Sequence, residues 1–296
     1  MRKKLILEFF DRGNTLNLKN KEYHSYINNL FNSQLNEDID KGDITTDSLI
    51  DKNKKIKATI IAKQEGIVAG IEESKLMTKN EKVKIRKKDG SRVKNKDIIM
   101  EIYGNARKIM RYERTLLNIL QRMSGIATLT YNIKKLAKNC FIAATRKTLP
   151  HLIDKKAVAV GGALTHRINL NDFILIKDNH LAILGNDIEK ALKLTNNKSE
   201  YVEIEVKNEK EALRAAKAIN KLKSKKLFAI LFDNMKASAI KSTIKKINTH
   251  KIILFEASGN INETNVNKYS KTGVDIVSLG LLTHSAKVLD ISLEIE

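Results

Sequence analysis

Residues 201–206 read Tyr-Val-Glu-Ile-Glu-Val, and this alternation is the starting point for the fold. In an extended strand, Glu203 and Glu205 lie on one face and the aliphatic side chains lie on the other. If helices cover the aliphatic face, both carboxylates point inward, where a buried carboxylate requires a cation or a metal ion. The alternative is an edge strand with both carboxylates in solvent. The cations that the sequence offers as partners are Arg146, Lys147, Arg167 and Lys177.

This strand is one of six short apolar runs in the second half of the chain. The runs are 141–145, 173–176, 202–206, 227–232, 252–257 and 276–279. Helical patterns separate the later runs, at 188–194, 209–222, 238–247 and 263–272. Strands that alternate with helices predict a parallel sheet covered by helices. The pattern fits both an open doubly wound sheet and a closed barrel.

Polar residues or glycines fall at or just after the end of each predicted strand. They are Thr145-Arg146-Lys147, Lys177-Asp178-Asn179-His180, Glu205, Asp233-Asn234, Ser258-Gly259 and Gly280. Polar residues are also what any exposed loop contains. However, the carboxyl ends of parallel strands meet at one end of a barrel, so these residues predict a composite site there. Backbone N–H groups around Ser258, Gly259 and Gly280 could hold a phosphate.

The first half of the chain has a different pattern. Strand-like runs at 56–62, 66–69, 82–85 and 97–102 predict a mixed α/β region. A helical apolar face then runs from Ile109 to Met123, is interrupted at Gly125, and resumes from Leu129 to Leu136. This helical stretch is interpreted as the connection into a second domain.

Composition narrows the class of protein. The chain has 296 residues with 55 Lys and Arg against 34 Asp and Glu, a formal net charge of +21. The lysines are spread along the chain and aromatic residues make up only 5%, so a basic surface that attracts anionic small molecules is favoured over a nucleic-acid-binding protein. The single Cys140 excludes an intramolecular disulfide. Apolar runs are far shorter than a membrane span, so we expect a cytoplasmic protein without a membrane partner.

Several ordered motifs resemble one known family. They are Gly42-Asp43-Ile44-Thr45-Thr46, Glu113-Arg114-Thr115, Gln121-Arg122-Met123-Ser124-Gly125, Thr145-Arg146-Lys147-Thr148, His166-Arg167, Lys177-Asp178-Asn179-His180, Asp233-Asn234-Met235, Glu256-Ala257-Ser258-Gly259 and Leu282-Thr283-His284-Ser285. Together they resemble quinolinate phosphoribosyltransferase, the carboxylating nicotinate-nucleotide pyrophosphorylase. The resemblance runs from about Asn36 to the C-terminus.

The resemblance implies an α/β fold of two domains. Residues 36–127, completed by 283–296, would form an N-terminal α/β sandwich-like domain, with the C-terminal segment returning to it. Residues 128–282 would form an open six-stranded α/β barrel, and residues 1–35 an N-terminal extension. The resemblance also implies a homodimer in which Arg114 reaches the active site of the neighbouring subunit, and it leaves assembly beyond the dimer open.

The implied reaction joins quinolinate to phosphoribosyl pyrophosphate. It yields nicotinate mononucleotide, pyrophosphate and CO2 in de novo NAD biosynthesis, and it uses Mg2+. Thr145, Arg146, Lys147, His166, Arg167 and Lys177 would bind substrate, and Arg114 would join them from the partner. Glu205 and Asp233 would stabilise an oxocarbenium-like state and hold Mg2+ through substrate or water, acting with Lys147 as catalytic residues. The phosphate would lie against Ser258, Gly259, Asn260, Leu279, Gly280 and Leu281.

Other residues depart from the family pattern or invite other readings. The departures are Ala144, Leu149-Pro150-His151-Leu152 and Asn260, although asparagine tolerates the left-handed backbone of a phosphate turn. His180 and His284 are interpreted as packing or hydrogen-bonding residues, and Cys140 as a core residue.

Three alternative functions stay open: a family member acting on another pyridine or nucleobase acid, a Schiff-base aldolase using Lys177, and a nucleic-acid-binding protein. The block at 177–180 favours quinolinate.

Overall fold

The computed structural model describes residues 1–195 and 199–295, which divide into two compact units. The parallel-sheet unit comprises Met1–Arg12, Asn132–Lys147 and Ala163–His284. The antiparallel-sheet unit comprises Gly13–Tyr131, Thr148–Gly162 and Ser285–Glu296. Among the described residues, every helix is too short or too polar to cross a lipid bilayer.

The helices and strands follow one another in a largely alternating order. The helices are α1 (Arg2–Phe10), α2 (Lys21–Ile39), α3 (Ile44–Leu49), α4 (Ile71–Met77), α5 (Ala106–Leu136), α6 (His151–Val160), α7 (Asp178–Ile183), α8 (Ile188–Leu194), α9 (Glu209–Lys221), α10 (Ala237–Lys246), α11 (Val266–Ser270) and α12 (Leu281–His284), with a 3-10 turn at Gly13–Thr15. The strands are β1 (Lys55–Ala62), β2 (Gly66–Ile67), β3 (Lys82–Ile85), β4 (Arg92–Val93), β5 (Ile98–Asn105), β6 (Phe141–Ala144), β7 (Ile174–Ile176), β8 (Tyr201–Val206), β9 (Leu227–Asp233), β10 (Ile253–Ser258), β11 (Ile276–Leu279) and β12 (Ile291–Ile295).

The parallel-sheet unit confirms the predicted α/β barrel. Its six strands are ordered β6-β11-β10-β9-β8-β7, and each pair is parallel. β6 and β7 are the two edges of this sheet, so the described barrel is open. β8 lies between β7 and β9, which excludes the solvent-exposed edge position considered for it. The helices cover the outer face: on α9, for example, Ala212, Ala215, Ala216, Ala218 and Ile219 are buried.

Helix α1 packs against the inner face of this curved sheet, toward the end opposite the carboxyl ends of the strands. Ile6, Phe9 and Phe10 form one apolar cluster with strand and loop residues, namely Ala143, Leu164, Phe173, Leu175, Ala229, Leu254 and Ile276. The Phe9 and Phe10 rings stack at 4.2 Å between centroids. At the start of the helix, the Arg2 guanidinium donates to both carboxylate oxygens of Asp275, at 2.6 and 2.7 Å. Burying two aromatic side chains contributes several kcal/mol to stability, so α1 is an integral part of this unit.

The antiparallel-sheet unit contains a four-stranded sheet ordered β12-β1-β5-β3 and a two-stranded ribbon of β2 and β4. β12 pairs antiparallel with β1, with Leu293 opposite Ile60, so the C-terminal segment returns to this sheet as predicted. Tyr23 on α2 donates a 2.6 Å hydrogen bond to the fully buried Glu73 on α4.

Helix α5 corrects the predicted break at Gly125. It runs without interruption from Ala106 to Leu136. A Cβ at Gly125 would lie 2.0 Å from the carbonyl oxygen of Lys287, so this glycine allows a close backbone approach and does not end the helix. The apolar face predicted for this segment is buried, including Ile109, Leu116 and Leu120.

The units divide the chain at places other than the predicted domain boundaries. Residues 1–35 do not stay together, because α1 belongs to the parallel-sheet unit and α2 to the other. The stretch Thr148–Gly162 was expected within the barrel but groups with the antiparallel-sheet unit. Its ion pairs explain this: Asp154 lies 2.6 Å from Arg122, and Lys156 lies 2.7 Å from Glu72.

Candidate active site

A pocket of about 340 Å3 opens at the carboxyl ends of the six parallel strands. Its walls come from all six strands, the loops that follow β6 and β7, and the loop before β7. The lining residues are Ala144, Thr145, Arg146, Lys147, His166, Arg167, Leu175, Lys177, Glu205, Leu231, Asp233, Glu256, Ser258 and Ser278. We call this the cationic pocket. The structure therefore brings together nine of the residues selected from the sequence: Thr145, Arg146, Lys147, His166, Arg167, Lys177, Glu205, Asp233 and Ser258.

The cations of the pocket come from three connecting segments. Arg146 and Lys147 follow β6, His166 and Arg167 lie in the segment before β7, and Lys177 follows β7. Burial and the nearby positive charge of Arg146 lower the pKa of the Arg167 guanidinium. Arg167 is buried and Arg146 is exposed, and two such guanidinium groups that repel each other are stabilised by an anion between them. Planar carboxylates or phosphates suit guanidinium geometry. The pocket is thus built for an anionic ligand.

Two carboxylates stand opposite these cations. Glu205 on β8 is in register with Leu231 on β9, which places Asp233 one inward-facing position further along the neighbouring strand. Burial and the charge of Asp233 raise the pKa of Glu205. Lys177 Nζ lies 3.9 Å from Glu205 Oε2, which confirms that this carboxylate faces a cation. Adjacent carboxylate oxygens are the donor type that Mg2+ prefers, so Glu205 and Asp233 fit a magnesium ion that completes its shell with ligand oxygens and water.

A second group of charged residues is almost fully buried, and two of its members, His166 and Glu256, line the pocket. His166 Nε2 lies 3.1 Å from Glu256 Oε2 and 3.4 Å from Glu203 Oε2, and both glutamates are almost fully buried. Burial opposes a charged imidazole, but the charge of Glu256 and the contacts that Nε2 makes with both carboxyl groups raise the pKa of His166 to about 9. Burial and the neighbouring Glu256 raise the pKa of Glu203 to about 8. At Glu256 burial raises the pKa, but the positive charge of His166 has the larger effect, so the pKa of that carboxyl group is lowered. At neutral pH the three groups therefore hold one imidazolium, one carboxylate and one neutral carboxyl.

The loop after β10 has the backbone of a tight turn. Gly259 and Asn260 have φ of +96° and +50°, so the asparagine that departs from the family pattern does adopt the left-handed conformation. A Cβ at Gly259 would lie 2.8 Å from the backbone nitrogen of Asn234, so no other residue fits without movement. Asn260 Nδ2 donates a 3.0 Å hydrogen bond to Asn234 Oδ1. Ser258 lines the pocket, and Gly259 and Asn260 follow it directly.

The loop after β11 lies beside Lys147. A Cβ at Gly280 would lie 2.8 Å from His284 Nε2, so glycine makes room for the histidine ring, and it would lie at ordinary contact distance, 3.4 Å, from Lys147 Cδ. The Leu279 side chain is buried, and Leu281 begins the short helix α12, so these two residues can offer only backbone groups to a ligand.

The remaining selected residues lie elsewhere or act structurally. Arg114 is exposed on α5, within the antiparallel-sheet unit, and does not line the pocket. His180 Nδ1 accepts the Lys177 N–H at 2.9 Å, which confirms its predicted hydrogen-bonding role. Burial, with the charge of Asp275, raises the pKa of the Cys140 thiol to about 12, so this thiol is unreactive near neutral pH.

Sequence reasoning missed the partners of His166. Glu203 was expected to meet an arginine or lysine, but its near cation is His166. Glu256 also lines the pocket, but its motif alone does not single it out as a site residue. A carboxylate inside the apolar run Ile253–Ser258 is the signal that could have drawn attention to it, since such a residue needs a buried partner.

The fold and the pocket define a class of protein: an α/β-barrel enzyme with a site for a polyanionic ligand at the carboxyl end of the strands. Comparison with known families narrows the class. Residues 43–124 match the N-terminal domain of quinolinate phosphoribosyl transferase, and residues 126–294 match its C-terminal domain. The chain belongs to the quinolinate phosphoribosyltransferase family.

Individual relatives agree over most of the chain. The probable carboxylating nicotinate-nucleotide pyrophosphorylase of Methanothermobacter thermautotrophicus is 37% identical over 280 residues, covering 90% of this chain and 98% of the relative. The probable carboxylating enzyme of Bacillus subtilis is 37% identical over 281 residues, covering 92% and 94%. The crystal structure of nicotinate-nucleotide pyrophosphorylase from Ehrlichia chaffeensis superposes with a TM-score of 0.82 at 35% identity, covering 91% of this chain and 98% of that one.

Proposed function

We propose that this protein transfers the phosphoribosyl group of phosphoribosyl pyrophosphate to quinolinate and releases pyrophosphate and CO2, forming nicotinate mononucleotide for NAD biosynthesis. The observation that carries the proposal is the charge pattern of the cationic pocket. Five cationic side chains line it, namely Arg146, Lys147, His166, Arg167 and Lys177, and the carboxylates Glu205 and Asp233 lie on adjacent strands. The two relatives named above are described as probable carboxylating nicotinate-nucleotide pyrophosphorylases, which supports the same reaction here.

Quinolinate carries two adjacent carboxylates on a pyridine ring, and the arginines of the pocket suit them. Arg146 and Arg167 can each donate two parallel N–H bonds to a carboxylate, and binding relieves their mutual repulsion. The second carboxylate distinguishes quinolinate from nicotinate. A pocket with this excess of cations therefore selects the dicarboxylate.

The reaction proceeds in two stages. The ring nitrogen bonds to C1 of the ribose as the bond from C1 to the pyrophosphate oxygen breaks, and the electron pair leaves with pyrophosphate. Positive charge that develops on the ribose is stabilised by Glu205 and Asp233, while Lys147 and Lys177 stabilise the leaving phosphates. The bond between C2 and its carboxyl group then breaks, CO2 leaves, and the electron pair stays on C2 beside the positively charged nitrogen until C2 takes up a proton. Holding the two substrates in line is the main task of the pocket.

Glu205 and Asp233 would hold a magnesium ion together with substrate oxygens and water. Such an ion neutralises diphosphate charge and makes pyrophosphate a better leaving group. A chelator should abolish turnover and added Mg2+ should restore it. Full turnover in the presence of excess chelator would contradict this assignment.

We also propose a homodimer in which Arg114 completes the pocket of the neighbouring subunit. Arg114 is an exposed cation outside the pocket, as a residue that serves a second copy must be. In a symmetric dimer, mixing an Arg114→Ala chain with a Lys147→Ala chain creates heterodimers that have one intact site. The mixture should regain about a quarter of the parental activity, because half of the dimers are mixed and each has one of two sites intact. No regain after subunit exchange would overturn the shared site.

The activity itself is tested by incubating the purified protein with phosphoribosyl pyrophosphate and Mg2+, and with either quinolinate or nicotinate. Formation of nicotinate mononucleotide and CO2 from quinolinate is expected. Turnover of nicotinate without turnover of quinolinate would overturn the proposal. Borohydride trapping supplies a second check, since an adduct on Lys177 with a sugar aldehyde would favour aldolase chemistry.

A further inference from the structure

His166 occupies an unusual position for a substrate-binding residue. Its side chain is only 8% exposed, yet it lines the cationic pocket. Its backbone φ is +55°, a conformation that residues other than glycine rarely adopt. A residue held in this way persists only if its surroundings determine its conformation. The surroundings of His166 come from three places that are distant in sequence.

The first support is a pair of buried carboxylates. Glu203 on β8 and Glu256 on β10 both face His166 Nε2, at 3.4 and 3.1 Å. Within the described part of the chain, neither oxygen of Glu203 has a hydrogen-bond partner of its own, and the groups that this carboxyl faces are the imidazole and Glu256. Both carboxyl groups therefore meet the imidazole through the same ring nitrogen, Nε2.

The second support is the aromatic end of α1. The Phe10 ring lies 5.1 Å from the His166 ring between centroids, and Phe173 lies 5.3 Å from it. Phe10 also packs edge-on against Phe173 at 5.8 Å. The imidazole is therefore held against two aromatic rings while its Nε2 faces the carboxylates.

The third support reaches the backbone. Arg12, just after α1, donates its backbone N–H to Thr165 Oγ1 at 2.7 Å. The same hydroxyl donates to the carbonyl oxygen of His166 at 2.9 Å. At its other end, α1 is anchored by the bonds from Arg2 to Asp275 and to the carbonyl of Ile253. The helix is thus tethered at both ends and contacts His166 through both a ring and a hydrogen-bond chain.

We propose that α1 and the buried pair Glu203 and Glu256 are positioning elements of the active site, which fix the imidazole of His166 for binding of the dicarboxylate substrate. This inference rests on the proposed function of the pocket. Residues 1–12 lie outside both family matches, which begin at residue 43, so the proposal gives this segment a role in substrate affinity as well as in stability.

Adjacent phenylalanines allow a matched test. Phe9 and Phe10 are both fully buried in the same helix, but only Phe10 has a ring contact with His166. Phe10→Leu should raise the KM for quinolinate about fivefold with little change in kcat or in the KM for phosphoribosyl pyrophosphate, corresponding to loss of one modest contact. Phe9→Leu should lower the melting temperature to a similar degree and leave the quinolinate KM within twofold. Equal KM values for the two variants would overturn the role of α1.

Glu203 has its own matched control. Glu203→Gln keeps the size of the side chain and one acceptor but replaces the carboxyl group beside the imidazole with an amide, and it should raise the quinolinate KM about tenfold. Glu73→Gln, the same change at a fully buried glutamate in the antiparallel-sheet unit, should affect only stability. In a His166→Ala background the effect of Glu203→Gln on KM should disappear, because the coupling runs through the imidazole. An undiminished effect in that background would overturn the positioning role.

Thr165→Val covers the case in which the glutamate variants fail to fold. It removes the hydroxyl that joins Arg12 to His166 and should raise the quinolinate KM severalfold, whereas an unchanged KM would contradict the hydrogen-bond chain. The two proposals fail differently. If the parental protein does not use quinolinate, the proposed function is wrong; if it does and none of these variants shifts the KM, only the positioning role is wrong.

Discussion

Arg146 and Lys147 are adjacent residues that serve different parts of a ligand. Arg146 acts with the buried Arg167, and Lys147 lies beside Gly280. Arg146→Ala should raise the quinolinate KM at least about a hundredfold, because a charge-assisted pair of hydrogen bonds is lost, and Lys147→Ala should lower kcat by a similar factor. Steady-state kinetics would measure both. Arg92→Ala, at an exposed arginine paired with Glu65, is the control and should match the parental protein. Near-parental kinetics for either pocket variant would contradict the assigned roles.

Glu205 is partly buried beside Asp233, and its carboxylate is expected to act on the charge that develops during reaction. Glu205→Gln should lower kcat by about a hundredfold or more while the quinolinate KM changes little, because an interaction made mainly in the transition state is removed. Glu263→Gln, at an exposed position, should leave both constants unchanged. An effect confined to KM would assign Glu205 to ground-state binding.

At the scale of elements, helix α5 offers a test at Gly125. Helix propensity and side-chain packing predict opposite effects on stability when this glycine is replaced by alanine. Gly125→Ala should stabilise an isolated helix by about 1 kcal/mol. In this protein the added methyl would lie 2.0 Å from the Lys287 carbonyl oxygen, so we expect a lower melting temperature. Asn118→Ala, on the exposed face of the same helix, should be neutral or stabilising. A Gly125→Ala protein more stable than the parent would show that the C-terminal segment does not pack closely against α5.

The same elements show what the sequence could reveal. All six parallel strands lie within a residue or two of their predicted positions, because apolar runs and helical periodicity report local burial. The sequence predicts a helix break at Gly125 because two kinds of glycine look alike in sequence. One kind ends a helix, and the other lets a distant segment of the same chain approach the helix closely. Glu203 and His166 are far apart in the chain, and the role of α1 depends on strands near the other end. Such partnerships are created by the fold and leave no periodic signal.

At the scale of the whole molecule, the group of His166, Glu203 and Glu256 links stability to pH. The folded protein holds protons on Glu203 and His166 up to about pH 8 and 9, whereas in the unfolded chain these groups release them near 4.5 and 6.5. The folded state therefore binds more protons throughout this interval, so the free energy of unfolding falls as pH rises. We expect the melting temperature to decrease steadily from pH 6.5 to 9.

Two histidine variants serve as controls for this pH dependence. His166→Gln should flatten the slope of melting temperature against pH, because one of the groups that retains a proton on folding is removed. His250→Gln, at an exposed position, should leave the slope unchanged. A melting temperature that rises between pH 6.5 and 9 would show that the buried group is not protonated as the geometry requires.

The anchoring of α1 by Asp275 has a consequence for synthesis of the chain. Arg2 and Asp275 are 273 positions apart, so a ribosome needs roughly half a minute to supply the partner after the helix has been made. During that time Phe9 and Phe10 have no completed sheet to enter. A nascent or prematurely terminated chain therefore exposes an aromatic pair that chaperones and proteases recognise. A molecule in which this pair is buried has been translated through β11, the last parallel strand.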